Sequence, residues 1–175
     1  FNNHDGKLAS QQHVLINSTA LDNQYGTIAG RAGLTVKLGL GQLNNQGGTL
    51  LTQGKLATVS GQFNNTSGLI KADQQITIDT QGQTLTNTNS GEKRGILGGE
   101  DITLDIGTLN NQHGYLGANK NLTLLASQID NQHGMINSAA TLDLTARGLN
   151  NQSGRLNAEH NLDIHLGSGM LNNQS

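Results

Sequence analysis

No cysteine, proline or tryptophan occurs among the 175 residues, only 2% of the chain is aromatic, and only 13% is charged, where an ordinary globular domain carries about 25%. The lack of cysteine suits a chain that crosses an oxidising compartment without being trapped by a disulfide. Ten basic and twelve acidic residues nearly cancel, which excludes charge-driven disorder and leaves no basic stripe for nucleic acid. The densest basic spot, Lys93 and Arg94, adjoins Glu92. No stretch reaches the roughly 18 consecutive apolar residues of a membrane span, and the N-terminus has neither a basic start nor an apolar signal core. The chain is therefore expected to carry no anchor or export signal of its own.

What is present is a repeat, written as apolar, x, Asn, two or three x, Gly, x, apolar. Its leading apolar residues are Phe1, Leu21, Leu43, Phe63, Leu85, Leu109, Ile129, Leu149 and Leu171, spaced by 20, 22, 20, 22, 24, 20, 20 and 22. Two positions on stand Asn3, Asn23, Asn45, Asn65, Asn87, Asn111, Asn131, Asn151 and Asn173. A glycine column follows: Gly6, Gly26, Gly48, Gly68, Gly91, Gly114, Gly134 and Gly154. After each glycine comes another apolar residue, among them Leu8, Ile28, Leu50, Ile70, Ile96, Leu116, Ile136 and Leu156. Six residues further lies an apolar pair with period two, as in Leu34 and Val36, Ile76 and Ile78, Leu142 and Leu144, or Leu162 and Ile164.

Such runs predict short β-strands, and no window keeps helical apolar spacing for ten or more residues, so helix content is expected to be close to nil. A unit of 20–22 residues with about three strands cannot bury its own apolar face and must stack on copies of itself. The prediction is an all-β parallel β-helix of about eight turns, a rod on the order of 38 Å long if each turn rises about 4.8 Å. Stacking in register would turn the apolar columns into interior ladders. The asparagines, on the same side as the leucines two residues before them, would form a buried amide ladder. The glycines are expected to supply φ > 0 at the corner. Leucine-rich repeats are the rival architecture, but their L-x-x-L-x-L run and helical segment are missing.

LDNQYGTI at 21–28, LNNQGGTL at 43–50, LNNQHGYL at 109–116, IDNQHGMI at 129–136 and LNNQSGRL at 149–156 resemble the filamentous haemagglutinin repeats of Gram-negative two-partner-secreted exoproteins, which include haemolysins, adhesins and contact-dependent growth inhibition proteins. The resemblance runs from Phe1 to Ser175. It implies a right-handed β-helix, threaded unfolded through an outer-membrane transporter, folding outside the cell, and projecting binding or toxin regions from the surface. The whole of 1–175 is expected to be one uncapped piece of a longer array, open to end-to-end self-association. FNNTSGLI at 63–70 and LTNTNSG at 85–91 depart from the pattern.

The insertion NSGEKRGILGGED between Asn89 and Asp101, with Glu92, Lys93 and Arg94, lengthens one turn to 24 residues. It is the expected contact loop for a host or bacterial surface receptor, although solenoids also tolerate inert insertions there. His113 and His133, with Asp130 nearby, occupy equivalent positions one turn apart but lack a fourth ligand for a metal, so neither metal nor cofactor is expected. Asp143 and Asp163 continue the outward column of Thr77, Thr103 and Thr123. They are the only basis for a polysaccharide-cleaving reading, which needs paired carboxylates but here has no basic or aromatic partner in neighbouring turns. No catalytic residue is expected. Carbohydrate binding lacks its usual stacking surface as well, since the aromatics are only Tyr25, Tyr115, Phe1 and Phe63, with the phenylalanines assigned to the interior.

Overall fold

The computed structural model describes residues 1–91 and 93–175. Among the described residues every regular element is a strand, 24 in all, forming three eight-stranded parallel sheets. A representative turn runs through Tyr115–Ala118 in the first sheet, Leu122–Leu125 in the second and Gln128–Asp130 in the third. Apart from the end strands of each sheet, each strand pairs with its counterpart one turn before and one turn after, in register: Tyr115 with Met135, Leu122 with Leu142 and Gln128 with Gly148. The protein is a parallel β-solenoid of about eight turns.

Alternation within each strand decides what lies inside. The strand Leu142–Thr145 buries Leu142 and Leu144 and turns Asp143 and Thr145 outward. Ile136 and Leu149 complete the lining of that turn from the other two sheets. A buried aliphatic side chain contributes roughly 1.5–3 kcal/mol, and no turn has more than a few, so burial becomes sufficient only when turns are stacked. The apolar columns consequently lose their cover at both ends. Phe63 is fully buried in mid-column, while Phe1, at the first position of the same column, is 53% exposed.

The two-residue lengthening of the 22-residue repeats falls at one corner, between the second and third sheets. There the inserted segments 39–40, 81–82 and 167–168 make tight turns in which Gly41 N–H donates to Leu38 O, Gln83 N–H to Thr80 O, and Gly169 N–H to Leu166 O. Gly39, Gln81, Gly82 and Gly167 take positive φ in these turns. The insertions thus bulge outward and leave the register above and below intact.

One position in the second sheet's inner columns breaks the apolar rule. Thr58 stands between Val36 and Ile78 in the second sheet's inner column, and its buried hydroxyl has no hydrogen-bond partner. An orphaned hydroxyl costs about 1–3 kcal/mol, and valine has nearly the same shape without it. Thr58→Val is expected to raise stability by about 1 kcal/mol, read as a higher urea midpoint with an unchanged slope.

Candidate functional site

The most ordered polar feature is the corner that leads from the third sheet into the first. The side-chain amide of Asn3 donates from Nδ2 to Asn23 Oδ1 at 2.7 Å, and the same bond repeats along Asn45, Asn65, Asn87, Asn111, Asn131, Asn151 and Asn173 at 2.7 to 2.8 Å. Asn23, Asn45, Asn65, Asn87, Asn111 and Asn131 are fully buried. The second amide proton goes to backbone: Asn131 Nδ2 also faces Gly134 O at 3.3 Å and Arg155 O at 3.2 Å. Both ends of each amide from Asn23 to Asn151 are thereby satisfied, the condition under which a buried amide is tolerable.

A second polar column, which the repeat pattern did not single out, runs along the outside of the same corner through Asn2, Asp22, Asn44, Asn64, Asn110, Asp130, Asn150 and Asn172. Each of these side chains accepts the backbone N–H two residues ahead, as Asp22 Oδ1 does from Gln24 at 3.0 Å and Asn64 Oδ1 from Thr66 at 3.0 Å. These are local side-chain turns of the kind asparagine and aspartate favour. The Asn-Asn pairs in the sequence were the available signal: one residue faces in and caps the next turn, the other faces out and closes its own.

The glycine column works differently from the expectation. Positive φ falls on the residue before it, at Asp5, Tyr25, Gly47, Ser67, His113, His133 and Ser153, and not on Gly6, Gly26, Gly48, Gly68, Gly114, Gly134 or Gly154. Glycine is required there because a Cβ would overlap the backbone carbonyl of the asparagine one turn below. On Gly134 it would strike Asn111 O and also approach Asn131 Oδ1 at 2.6 Å. The column marks where the asparagine ladder passes closest to the main chain.

In the irregular repeat Gly91 does not stand in that column. Asn89 has the positive φ, and its N–H donates to Gln112 O just as His113 donates to Gln132 O one turn later, so Ser90 holds the glycine place. Elsewhere the carbonyl of the column glycine receives the first N–H of the next strand, as Gly114 O does from Met135. The chain departs outward at Ser90, and its Oγ takes over that duty, accepting the Tyr115 N–H at 2.8 Å. Gly95–Gly98 is already a strand in register with Leu69–Ala72, so the loop expected over 89–101 narrows to the four extra residues 91–94.

Of the loop residues singled out, Glu92 lies outside the described residues, and Lys93 is exposed. Arg94 turns back against the rod: Nε donates to Ser67 O at 2.7 Å, and one terminal nitrogen donates to Gly47 O at 3.0 Å and Gly48 O at 3.1 Å. Its guanidinium fastens the returning strand to two earlier turns, a use of arginine's fixed donor fork.

His113 and His133 stack with ring centroids 4.8 Å apart and planes within 9°. Asp130 is not turned to them. It accepts from Gln112 Nε2 at 2.6 Å and from the Gln132 N–H at 3.2 Å. Among the described residues no three histidine, cysteine or acidic side chains are grouped as a metal would require. Asp143 and Asp163 are register partners, with Thr123 next to Asp143 on the other side, and Asp143 Oδ1 is buried without a partner. The structure brings these carboxylates together but, among the described residues, places no basic side chain within hydrogen-bond or ion-pair distance of either. Two stacked carboxylates at the end of a threonine column on the outer face of the second sheet are what this arrangement amounts to.

Three in-register parallel sheets around a buried asparagine ladder define a structural β-solenoid. The haemagglutinin-repeat family model matches residues 1–39, 35–97, 98–165 and 137–175, and the chain belongs to that family. No curated protein and no solved structure matches it significantly.

Proposed function

We propose that the chain is a length of shaft in a large secreted adhesin-type filament on a bacterial surface, and that its task is mechanical. The observation that carries this reading is the continuity of the asparagine ladder and of three sheets through every turn, so that each turn is locked to the next by the same bonds. Bending such a rod means stretching a row of backbone hydrogen bonds together with an amide ladder, which gives stiffness without any special joint. The family supports the same reading, and with it export through an outer-membrane two-partner-secretion transporter. A chain without disulfides and built from local, sequentially added turns suits passage in the unfolded state. The outward position of Lys93 favours a secondary role for residues 91–94 in touching a host or bacterial surface receptor.

An epitope inserted between Gly91 and Lys93 of the full-length protein on intact producing cells tests the proposal. Antibody access on the cell surface, together with small-angle scattering of an elongated particle from the purified repeats, is the expected result. A compact particle, or an epitope reached only after cell lysis, would overturn it.

A further inference from the structure

The outer face of the first sheet is not uniform. Its outward column reads Ala9, Ala29, Leu51, Lys71, Leu97, Gly117, Asn137 and Asn157 through successive register pairs. From Lys71 onward this column borders a groove of about 580 Å³ that runs across five turns. At its centre the Tyr115 ring lies over Gly117. The nearest atoms that a Cβ there would meet belong to that ring, at 2.7 Å from Cε1 and 2.8 Å from the hydroxyl oxygen. The closest approach here is thus made by a side chain and not by the backbone, and glycine in a strand weakens it. What Gly117 provides is room for the aromatic ring to lean along the strand.

Around the ring are groups that hydrogen-bond hydroxyls. Asn137 Nδ2 reaches the Tyr115 hydroxyl at 3.4 Å, Asn157 follows it one turn on, and the groove is lined further by Lys71, Asp73 and Glu159. An aromatic face bordered by amides and carboxylates matches a pyranose ring, which presents C–H groups on one face and hydroxyls around its rim. Two carboxylates against one ammonium make the lining slightly anionic and disfavour sulfated or sialylated chains. The groove follows the rod axis, where equivalent groups recur about every 4.8 Å, close to the rise per sugar of an extended β-1,4-linked chain.

We infer that this groove is a binding site for a neutral β-linked polysaccharide, with Tyr115 as stacking platform and Asn137 and Asn157 as hydroxyl-binding groups. The sequence-based objection, the absence of a stacking surface, is met by one outward tyrosine that a neighbouring glycine makes usable. This inference goes beyond the shaft reading and rests on the geometry of the first sheet alone.

With no tryptophan and only two tyrosines in the chain, a Tyr25→Phe variant reports on Tyr115 by intrinsic fluorescence. Titration with β-1,4-linked hexamers of glucose and of N-acetylglucosamine is expected to give a saturable change in emission. Calorimetry with the same hexamers should show affinity falling about tenfold in Tyr115→Ala and in Asn137→Ala, equivalent to about 1.4 kcal/mol. Circular dichroism of the variants should be unchanged. A sulfated glycosaminoglycan fragment should not compete. Absence of saturable binding, binding indifferent to both substitutions, or tighter binding of the sulfated fragment would each overturn the inference. Scattering on the same samples keeps the two readings apart: a rod without glycan binding refutes only the groove, and a compact particle refutes the shaft.

Discussion

Replacing Asn111 by leucine is expected to destabilise the solenoid by about 2–4 kcal/mol. Its Oδ1 accepts from Asn87 at 2.8 Å and its Nδ2 donates to Asn131 at 2.7 Å. After the substitution one proton of Asn87 and the oxygen of Asn131 lose their partners in a fully buried column, at about 1–3 kcal/mol each. Added apolar burial offsets part of this, about 1.5–3 kcal/mol at most, but a branched side chain must also fit where planar amides stack. Orphaned polar groups therefore outweigh the hydrophobic gain. Urea unfolding followed by far-ultraviolet circular dichroism measures the balance. An unchanged midpoint would mean that the ladder adds nothing to stability.

The glycine column gives a second large effect, sharpened by its neighbour. Gly134→Ala is expected to cost at least about 3 kcal/mol, because the new Cβ meets the Asn111 carbonyl and neither main chain can yield without parting two turns. His133→Gly relaxes a residue held at φ 53° and is expected to change stability by less than about 1 kcal/mol, since relief of backbone strain is countered by the flexibility of glycine in the unfolded chain. If positive φ and not the close approach set the cost, the order would reverse: alanine at 134, where φ is not positive, would be tolerated and glycine at 133 clearly stabilising. Thermal melts of the two variants side by side decide between steric and conformational accounts.

Strand positions were legible because period two is enforced separately in every turn: Leu142 and Leu144 must face in, so Asp143 and Thr145 must face out. The asparagine column was legible because its ladder leaves no freedom at any turn. What escaped the sequence reading depends on contacts between residues far apart along the chain. Arg94 reaches Gly47 across 47 residues, and Ser90 could be aligned with the column glycines only once the Tyr115 N–H was seen to be received by its hydroxyl. The small residues that close the first sheet's inner edge, such as Gly30, Ala72, Gly98 and Ser138, also carry no periodic apolar signal. They are dictated by the tightness of the bend that follows them, where a Cβ on Gly30 would strike Gly33 O. The use of Tyr115 depended on knowing that it and Gly117 share the outer face.

All eight bonds of the asparagine ladder point the same way, each amide giving its proton to the asparagine of the following repeat. Their dipoles add, as peptide dipoles add along a helix. A turn completed early in the sequence presents an amide proton already aimed at the site the next asparagine will occupy, and only one orientation of the newcomer answers it. Asymmetry of this kind makes the stack a copying device: each finished layer dictates the orientation of its successor, so a chain that acquires order from its N-terminal side meets a ready mould at every step.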